Sequence, residues 1–390
     1  MRCPSLIASI AITMLTIGCV ERPQPAVPFS NRLDDALTRG AEFLASRQDA
    51  DGLWRSEVYG SFKDPSALTP LVAWALDAAK PAARANERAV NYLAGMVRPD
   101  GAIDVEAHGL PYPLYTAALT VNLLSAPRHS ARAKARDGWA TDLARRQLDE
   151  NLGWQPSDPE YGGWGYAKEL PRKPAAGLHM LPGTESNLSA TTFALEALRQ
   201  AGVADDVFRK ARVFIERCQN FSDAPVQASP FDDGGFFFIP NDSVRNKAGI
   251  AGQDTIGRDH FASYGSASAD GIRALRACGV AETDPRMQAA RRWLETSFRA
   301  DAHPGGYAGD REVNREALYY YYAFSISRAL RSEGEDLGRR DRLAEALLKR
   351  QGADGFWVNS AVAVREDDPL VATSLALLAL AACRDGASAK

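Results

Sequence analysis

Four carboxylates, Glu185, Asp270, Glu316 and Asp368, stand at or next to the starts of four separate apolar helical stretches. Carboxyls gathered at helix N-termini can do general acid–base work: crowding and burial hold one neutral, while the helix ends favour an anion on another. Tyr264 and Arg365 lie on or next to such starts, Tyr319 lies on one of the stretches, and Trp164 and Phe236 lie in the long aromatic-rich segments 150–183 and 221–262; together they offer an aromatic and cationic lining suited to an apolar ligand. Each candidate also has a plainer reading. Asp64 before Pro65-Ser66, Asp367 before Asp368-Pro369, and Asn314 with its following Glu316 have the look of helix caps, worth about 0.5–2 kcal/mol each and doing no chemistry. Trp164 and Phe236 belong to glycine–aromatic turns that pack in a core with or without a ligand.

Other chemistries are poorly represented. His108, His129, His179, His260 and His303 all fall in expected loops without HxxxH or HxH spacing, where solvated side chains are the rule. Cys218, Cys278 and Cys383 have no CxxC pattern, and Cys218 is in helical register with Phe208, Ala211 and Ile215, so no metal and no disulfide framework is expected. There is no phosphate-binding loop, no GxSxG elbow and no dinucleotide fingerprint, hence no expected cofactor. A net charge of −3 with scattered Lys and Arg argues against nucleic acid as a partner, and 45% hydrophobic with 24% charged residues is an ordinary globular composition.

The candidate residues can meet only if the fold collects helix starts, and internal repeats supply such a fold. Arg47-Gln48-Asp49-Ala50-Asp51-Gly52-Leu53-Trp54 returns as Arg350-Gln351-Gly352-Ala353-Asp354-Gly355-Phe356-Trp357. Weaker echoes occur at Asp100-Gly101, Gly162-Gly163-Trp164, Gly234-Gly235-Phe236 and Gly305-Gly306-Tyr307. Each places glycine, free to take positive φ, just before a residue that turns back into the core. Amphipathic outer helices are predicted near 31–48, 82–98, 131–149, 204–219, 284–298 and 339–351, and apolar inner ones near 67–80, 112–126, 184–201, 264–278, 314–332 and 367–383. An array that begins outside and ends inside can close on itself. The expected fold is therefore all-α, a closed α6/α6 toroid with an inner barrel of six helices, an outer ring of six, and every inner N-terminus at one mouth.

Outer helix, Gln-x-x-x-Gly-x-Trp turn and apolar inner helix, complete at Gln48–Trp54 and Gln351–Trp357, resemble the repeat shared by squalene–hopene cyclases and protein prenyltransferase β subunits. The resemblance covers most of residues 31–383 and speaks for fold rather than activity. It implies an active site at the barrel mouth. The bacterial cyclases use an Asp-x-Asp-Asp acid; Glu366-Asp367-Asp368 comes nearest, but Arg365 replaces the first aspartate and is expected to lower the pKa of a neighbouring acid. The prenyltransferases bind zinc through an aspartate, a cysteine two residues on and a histidine, and no structural cysteine here follows that pattern. Both losses point away from those two reactions.

Residues 1–18 read as a signal peptide, and Leu15-Thr16-Ile17-Gly18-Cys19 resembles the bacterial lipoprotein signal, with Cys19 as the lipid-bearing residue. Residues 19–30 form a proline-rich tether and 31–384 the toroid, with aromatic-rich insertions at 150–183 and 221–262 as lids. Localisation at the bacterial cell envelope follows, facing the periplasm or exterior and held to the membrane through the lipid. Three functions stay open: a non-catalytic lipoprotein binding an apolar, isoprenoid-like small molecule or a peptide; an envelope enzyme acting on a terpenoid or glycan through the mouth carboxylates; and a protein-interaction scaffold.

Overall fold

The computed structural model describes residues 28–79, 86–105, 109–223, 229–307, 309–331, 334–362 and 364–387. The signal stretch, Cys19, the tether up to residue 27, and His108 lie outside the described residues.

The described chain is largely helical. Its outer, amphipathic helices are α1 (Phe29–Ser46), α3 (Glu87–Gly95), α5 (Ala133–Ala144), α7 (Asp206–Arg217), α9 (Pro285–Ser297) and α12 (Glu335–Arg350). The apolar helices are α2 (Pro65–Ala79), α4 (Pro113–Leu124), α6 (Leu188–Gln200), α8 (Gly265–Ala277), α11 (Tyr319–Ala329) and α13 (Pro369–Ala387), with a short α10 (Val313–Ala317) ahead of α11. In α1 the residues Leu33, Leu37, Ala41 and Leu44 recur at three- and four-residue steps and are all buried. In α4 every residue but Tyr115 is buried, so that helix has neighbours on all sides. Each apolar helix packs on two others, in the order α2, α4, α6, α8, α11, α13, and α13 packs on α2 and α1. The arrangement is an α/α toroid-like one. Across the seam Arg384 donates to the Ala78 carbonyl at 3.0 Å, and Tyr59 donates to Asp367 at 2.5 Å.

The repeat turns are what join the layers. Gln48 Nε2 donates to the Gly52 carbonyl (2.7 Å), Trp54 Nε1 donates back to Leu44 on the outer helix (2.7 Å), and Trp54 N–H donates forward to Thr69 Oγ1 on the inner helix (3.1 Å). Gln351, Trp357, Leu347 and Thr373 repeat this geometry at 2.8, 2.8 and 3.0 Å. Two further copies are disguised in the sequence. Gln147 donates to Gly162 and Gln219 to Gly234, fifteen residues on instead of four, because extra chain loops out between glutamine and glycine. Trp164 and Phe236 then occupy the Trp54 position, with backbone N–H groups bonded to Thr191 and Ser268. Gly52, Gly162, Gly234 and Gly355 all have φ between 85° and 89°, the left-handed region that glycine enters without penalty.

Three expectations are corrected. The stretch 314–332 is not one helix: it breaks at Leu318, φ −112°, so α11 has its own N-terminus. The helix expected from 184 begins at Leu188, because Asn187 is extended and caps it by accepting from Ala190 N–H at 2.9 Å. Within 221–262 a bulged antiparallel hairpin, β1 (Ile250–Gln253) and β2 (Asp259–Phe261), departs from the all-α expectation.

Candidate functional site

Among the described residues, the N-terminal turns of α2, α4, α6, α8, α11 and α13 surround a cavity of about 470 Å³. Ala67, Leu68 and Leu71 of α2, Tyr115 and Leu119 of α4, Phe193 of α6, Ala267 and Asp270 of α8, Tyr321 of α11, and Val371 and Leu375 of α13 line it. Between-helix segments complete the rim with Phe62, Tyr112, Tyr166, Phe238, Tyr264, Arg245, Lys247, Arg365 and Glu366. Phe193 stacks on Phe324 (5.6 Å between ring centres), and Trp74 meets Phe324 edge-on, so an aromatic layer lies behind the wall. Tyr166 comes from the 150–183 insertion, whereas Phe238, Arg245 and Lys247 come from 221–262.

Asp270 is buried one turn into α8 and takes its partners from two helices. Arg273 Nη1 (2.7 Å) and Ser325 Oγ (2.6 Å) donate to one oxygen, and Tyr321 Oη (2.7 Å) donates to the other. Hydroxyls continue along the wall from Tyr321 to Ser189, then to Tyr115 at 3.3 Å and Tyr166 at 3.4 Å. Burial raises the Asp270 carboxyl to about 6, while Arg273, Ser325 and Tyr321 pull it down. Behind it, Arg273 also forms a bidentate pair with Glu196 at 2.9 and 2.6 Å. Burial pushes Glu196 up too, but Arg273 and Arg328 together overcome it and hold that carboxyl at about 2.

The second carboxyl on the wall is Glu366, part of the Glu366-Asp367-Asp368 run that the neighbouring Arg365 argues against in the sequence. Its oxygens accept from the Tyr320 (2.9 Å) and Tyr321 (2.7 Å) N–H groups, the unpaired donors created where the chain breaks at Leu318. Asn359 Nδ2 lies at 3.3 Å. Burial raises Glu366 to about 8 against these donors. Arg365 does not act on it as expected. With φ 72° the Arg365 backbone is left-handed, which sends its guanidinium out over the Tyr59 ring at 4.0 Å and turns Glu366 inward. Both residues line the cavity, but the guanidinium engages the Tyr59 ring and the carboxyl engages the Tyr320 and Tyr321 N–H groups.

Of the predicted site residues, Asp270, Tyr264 and Arg365 line the cavity. Glu185 sits before α6 and pairs with Arg245 at 3.2 Å; Glu316 lies on α10 and pairs with Arg350 at 2.7 Å. Asp368 accepts from Leu370 N–H at 2.9 Å and from Ser56, a capping role at the start of α13. Trp164 and Phe236 are fully buried wedges between layers. Of the four tyrosines 319–322, only Tyr321 lines the cavity: Tyr319 and Tyr322 donate to the Ala300 and Arg299 carbonyls (both 2.8 Å) and Tyr320 faces Val358.

Two histidines depart from the solvated expectation. His129 is buried beside Asp77, and His303 is buried with Nε2 accepting from Ser266 N–H at 2.8 Å, so it caps α8 from another segment. Burial holds His303 neutral, lowering it to about 3. Among the described residues no group of three His, Cys, Asp or Glu is placed to hold a metal ion.

Among solved structures, the fold is similar to that of the type II terpene cyclase MstE from Scytonema. In complex with geranylgeranyl dihydroxybenzoate that enzyme matches at a TM-score of 0.57 and 14% identity, and in complex with merosterolic acid A at 0.58 and 15%, over 92% of this chain and 99% of that one in both cases. A protein from Actinoplanes matches at 0.53 and 18%, covering 91% and 99%. At these identities the likeness is one of fold, a terpenoid-cyclase-like α/α toroid, and it does not single out squalene–hopene cyclases. No protein-family model and no curated protein matches the chain.

Proposed function

We propose that the chain is a closed α6/α6 toroid that holds an apolar, isoprenoid-like molecule in its barrel mouth and moves protons on it. The observation that carries this reading is an aromatic cavity whose two lining carboxyls are held in opposite states at neutral pH. Glu366, at about 8, keeps its proton; Asp270, at about 6, has lost it and is backed by Arg273. Environments that push two acids apart assign an acid and a base. Glu366 gives one proton to the bound molecule, and Asp270 accepts one, directly or through the Tyr321 hydroxyl. One proton given and one taken leaves composition unchanged, the signature of an isomerisation or ring closure. The similarity of fold to a terpene cyclase whose structure holds geranylgeranyl dihydroxybenzoate supports the choice of ligand class. We further propose export and anchoring through Cys19, on the strength of the short apolar leader that ends in it.

The test is incubation of the purified protein with C20 isoprenoids in D2O, followed by mass spectrometry. The enzyme reading expects a product one mass unit heavier than the substrate, one deuterium having replaced one hydrogen, formed by wild type and absent with Glu366→Gln and Asp270→Asn. Binding without conversion would instead establish a carrier. For the anchor, Cys19→Ser should move the protein from the membrane to the soluble exported fraction; identical fractionation of both forms would refute it.

A further inference from the structure

The charges around the mouth do not balance. Arg245 is paired with Glu185 and Asp242, both at 3.2 Å. Lys247, two residues on and lining the same cavity, makes no hydrogen bond or ion pair through its ammonium among the described residues, although it is half-buried. Its nearest charged influence is another cation: Arg311, whose guanidinium donates to the Asn246 (2.6 Å) and Ser243 (2.9 Å) carbonyls of the same loop. Burial and Arg311 both lower the Lys247 ammonium. Arg365 is a further lining cation with no ion pair among the described residues, engaged only with the Tyr59 and Phe62 rings. The inner-helix N-termini add partial positive charge from below. The lining carboxyls do not compensate, since Asp270 is turned to Arg273 and Glu366 to the α11 N-terminus.

A partly buried ammonium in the field of another cation and without a counter-ion is unfavourable, and the binding of an anion relieves it. We propose that the molecule held in the barrel mouth carries an anionic head, a carboxylate or a phosphate, that pairs with Lys247 at the rim while its apolar chain lies along the aromatic wall. The inference rests on the reading that an apolar molecule occupies this cavity, and it adds what kind: an acidic amphiphile rather than a hydrocarbon or a neutral alcohol. Arg245 and Arg311 hold the loop that presents Lys247, and their field draws an anion to the same edge.

Four probes separate the possibilities: geranylgeraniol, geranylgeranoic acid, geranylgeranyl phosphate and palmitate, each titrated by intrinsic tryptophan fluorescence or calorimetry at low and high salt. At least one of the two acidic C20 compounds should bind about tenfold or more tighter than the alcohol, the strength expected of one charge-assisted contact. That preference should fade with salt while alcohol binding stays level. Lys247→Gln should bring the acid down to the alcohol's affinity, and Lys247→Arg should restore the preference. Equal binding of acid and alcohol, or a preference that survives Lys247→Gln in a folded protein, overturns the head-group inference and leaves the isoprenoid reading intact. Palmitate binding as well as the C20 acids upholds the inference and overturns the isoprenoid reading. If no probe binds, both fall. The salt series on wild type needs no variant, so it decides the matter even if the substitutions impair folding.

Discussion

Asp270 and Glu366 are each 1% exposed on the wall of one cavity, yet they end about two pKa units apart. Burial acts on both in the same direction. What differs is the compensating charge: Asp270 has a guanidinium at 2.7 Å and two hydroxyl donors, whereas Glu366 has two peptide N–H groups and a side-chain amide. A full charge offsets desolvation better than peptide dipoles do. Glu196 extends the series, since two guanidinium groups hold it at about 2 despite burial. Along one barrel wall, the number of arginines within reach sets the protonation state, and the protonation state sets the role open to each carboxyl.

The largest effect should come from removing the shared cation. Arg273→Gln leaves Glu196 with Arg328 alone and Asp270 with none, and breaking a buried ion-pair network of this kind costs about 3–5 kcal/mol. Denaturant melts measure it. A loss under 1 kcal/mol would mean that Arg273 does not distinguish the two sites. Next in size is turnover: Glu366→Gln should lower the rate by about 100-fold or more, the low end for general acid–base catalysis, with the fold unchanged by circular dichroism. The wild-type rate should follow a bell with limbs near 6 and 8, the values at which Asp270 and Glu366 titrate. A flat profile across that range would remove the acid–base assignment.

A smaller effect appears in stability against pH. Glu366 folded keeps its proton to about 8, whereas an ordinary glutamate loses it at 4.5, so the folded chain binds the extra proton between those values. Its contribution is full below 4.5 and is lost as pH rises toward 8, at no more than about 1.4 kcal/mol per pH unit. Wild type should therefore lose stability relative to Glu366→Gln as pH is raised through that window; a constant difference would contradict the raised value. The finest discrimination is Tyr321→Phe, which removes one hydroxyl from Asp270 and leaves the backbone donors of Glu366 in place. It should raise only the lower limb of the pH profile, with a stability cost of about 1 kcal/mol.

The frame was readable because its determinants are local. Glutamine, glycine and tryptophan at fixed spacing in Gln48–Trp54 and Gln351–Trp357 specify a turn whose hydrogen bonds reach only the two helices it joins. Gln147 and Gln219 were illegible because inserted chain moved them fifteen residues from their glycines without changing the geometry. The site was partly readable: Asp270, Tyr264 and Arg365 were placed at the mouth by helix counting alone. Glu366 was hidden by Arg365, since adjacency in sequence suggests charge neutralisation and only the left-handed backbone at Arg365 separates the two. Its value also depends on the break at Leu318, a tertiary event with no proline or glycine to announce it. His303 was hidden for a related reason, capping a helix 37 residues away.

The most direct test of the account is a carbon-13 NMR titration of carboxyl-labelled Glu and Asp, with the two signals assigned by Glu366→Gln and Asp270→Asn. The account predicts that at pH 7 the Glu366 carboxyl is protonated and the Asp270 carboxyl ionised, with midpoints near 8 and 6. Both groups ionised at pH 7, with midpoints in the ordinary carboxylate range, would contradict it.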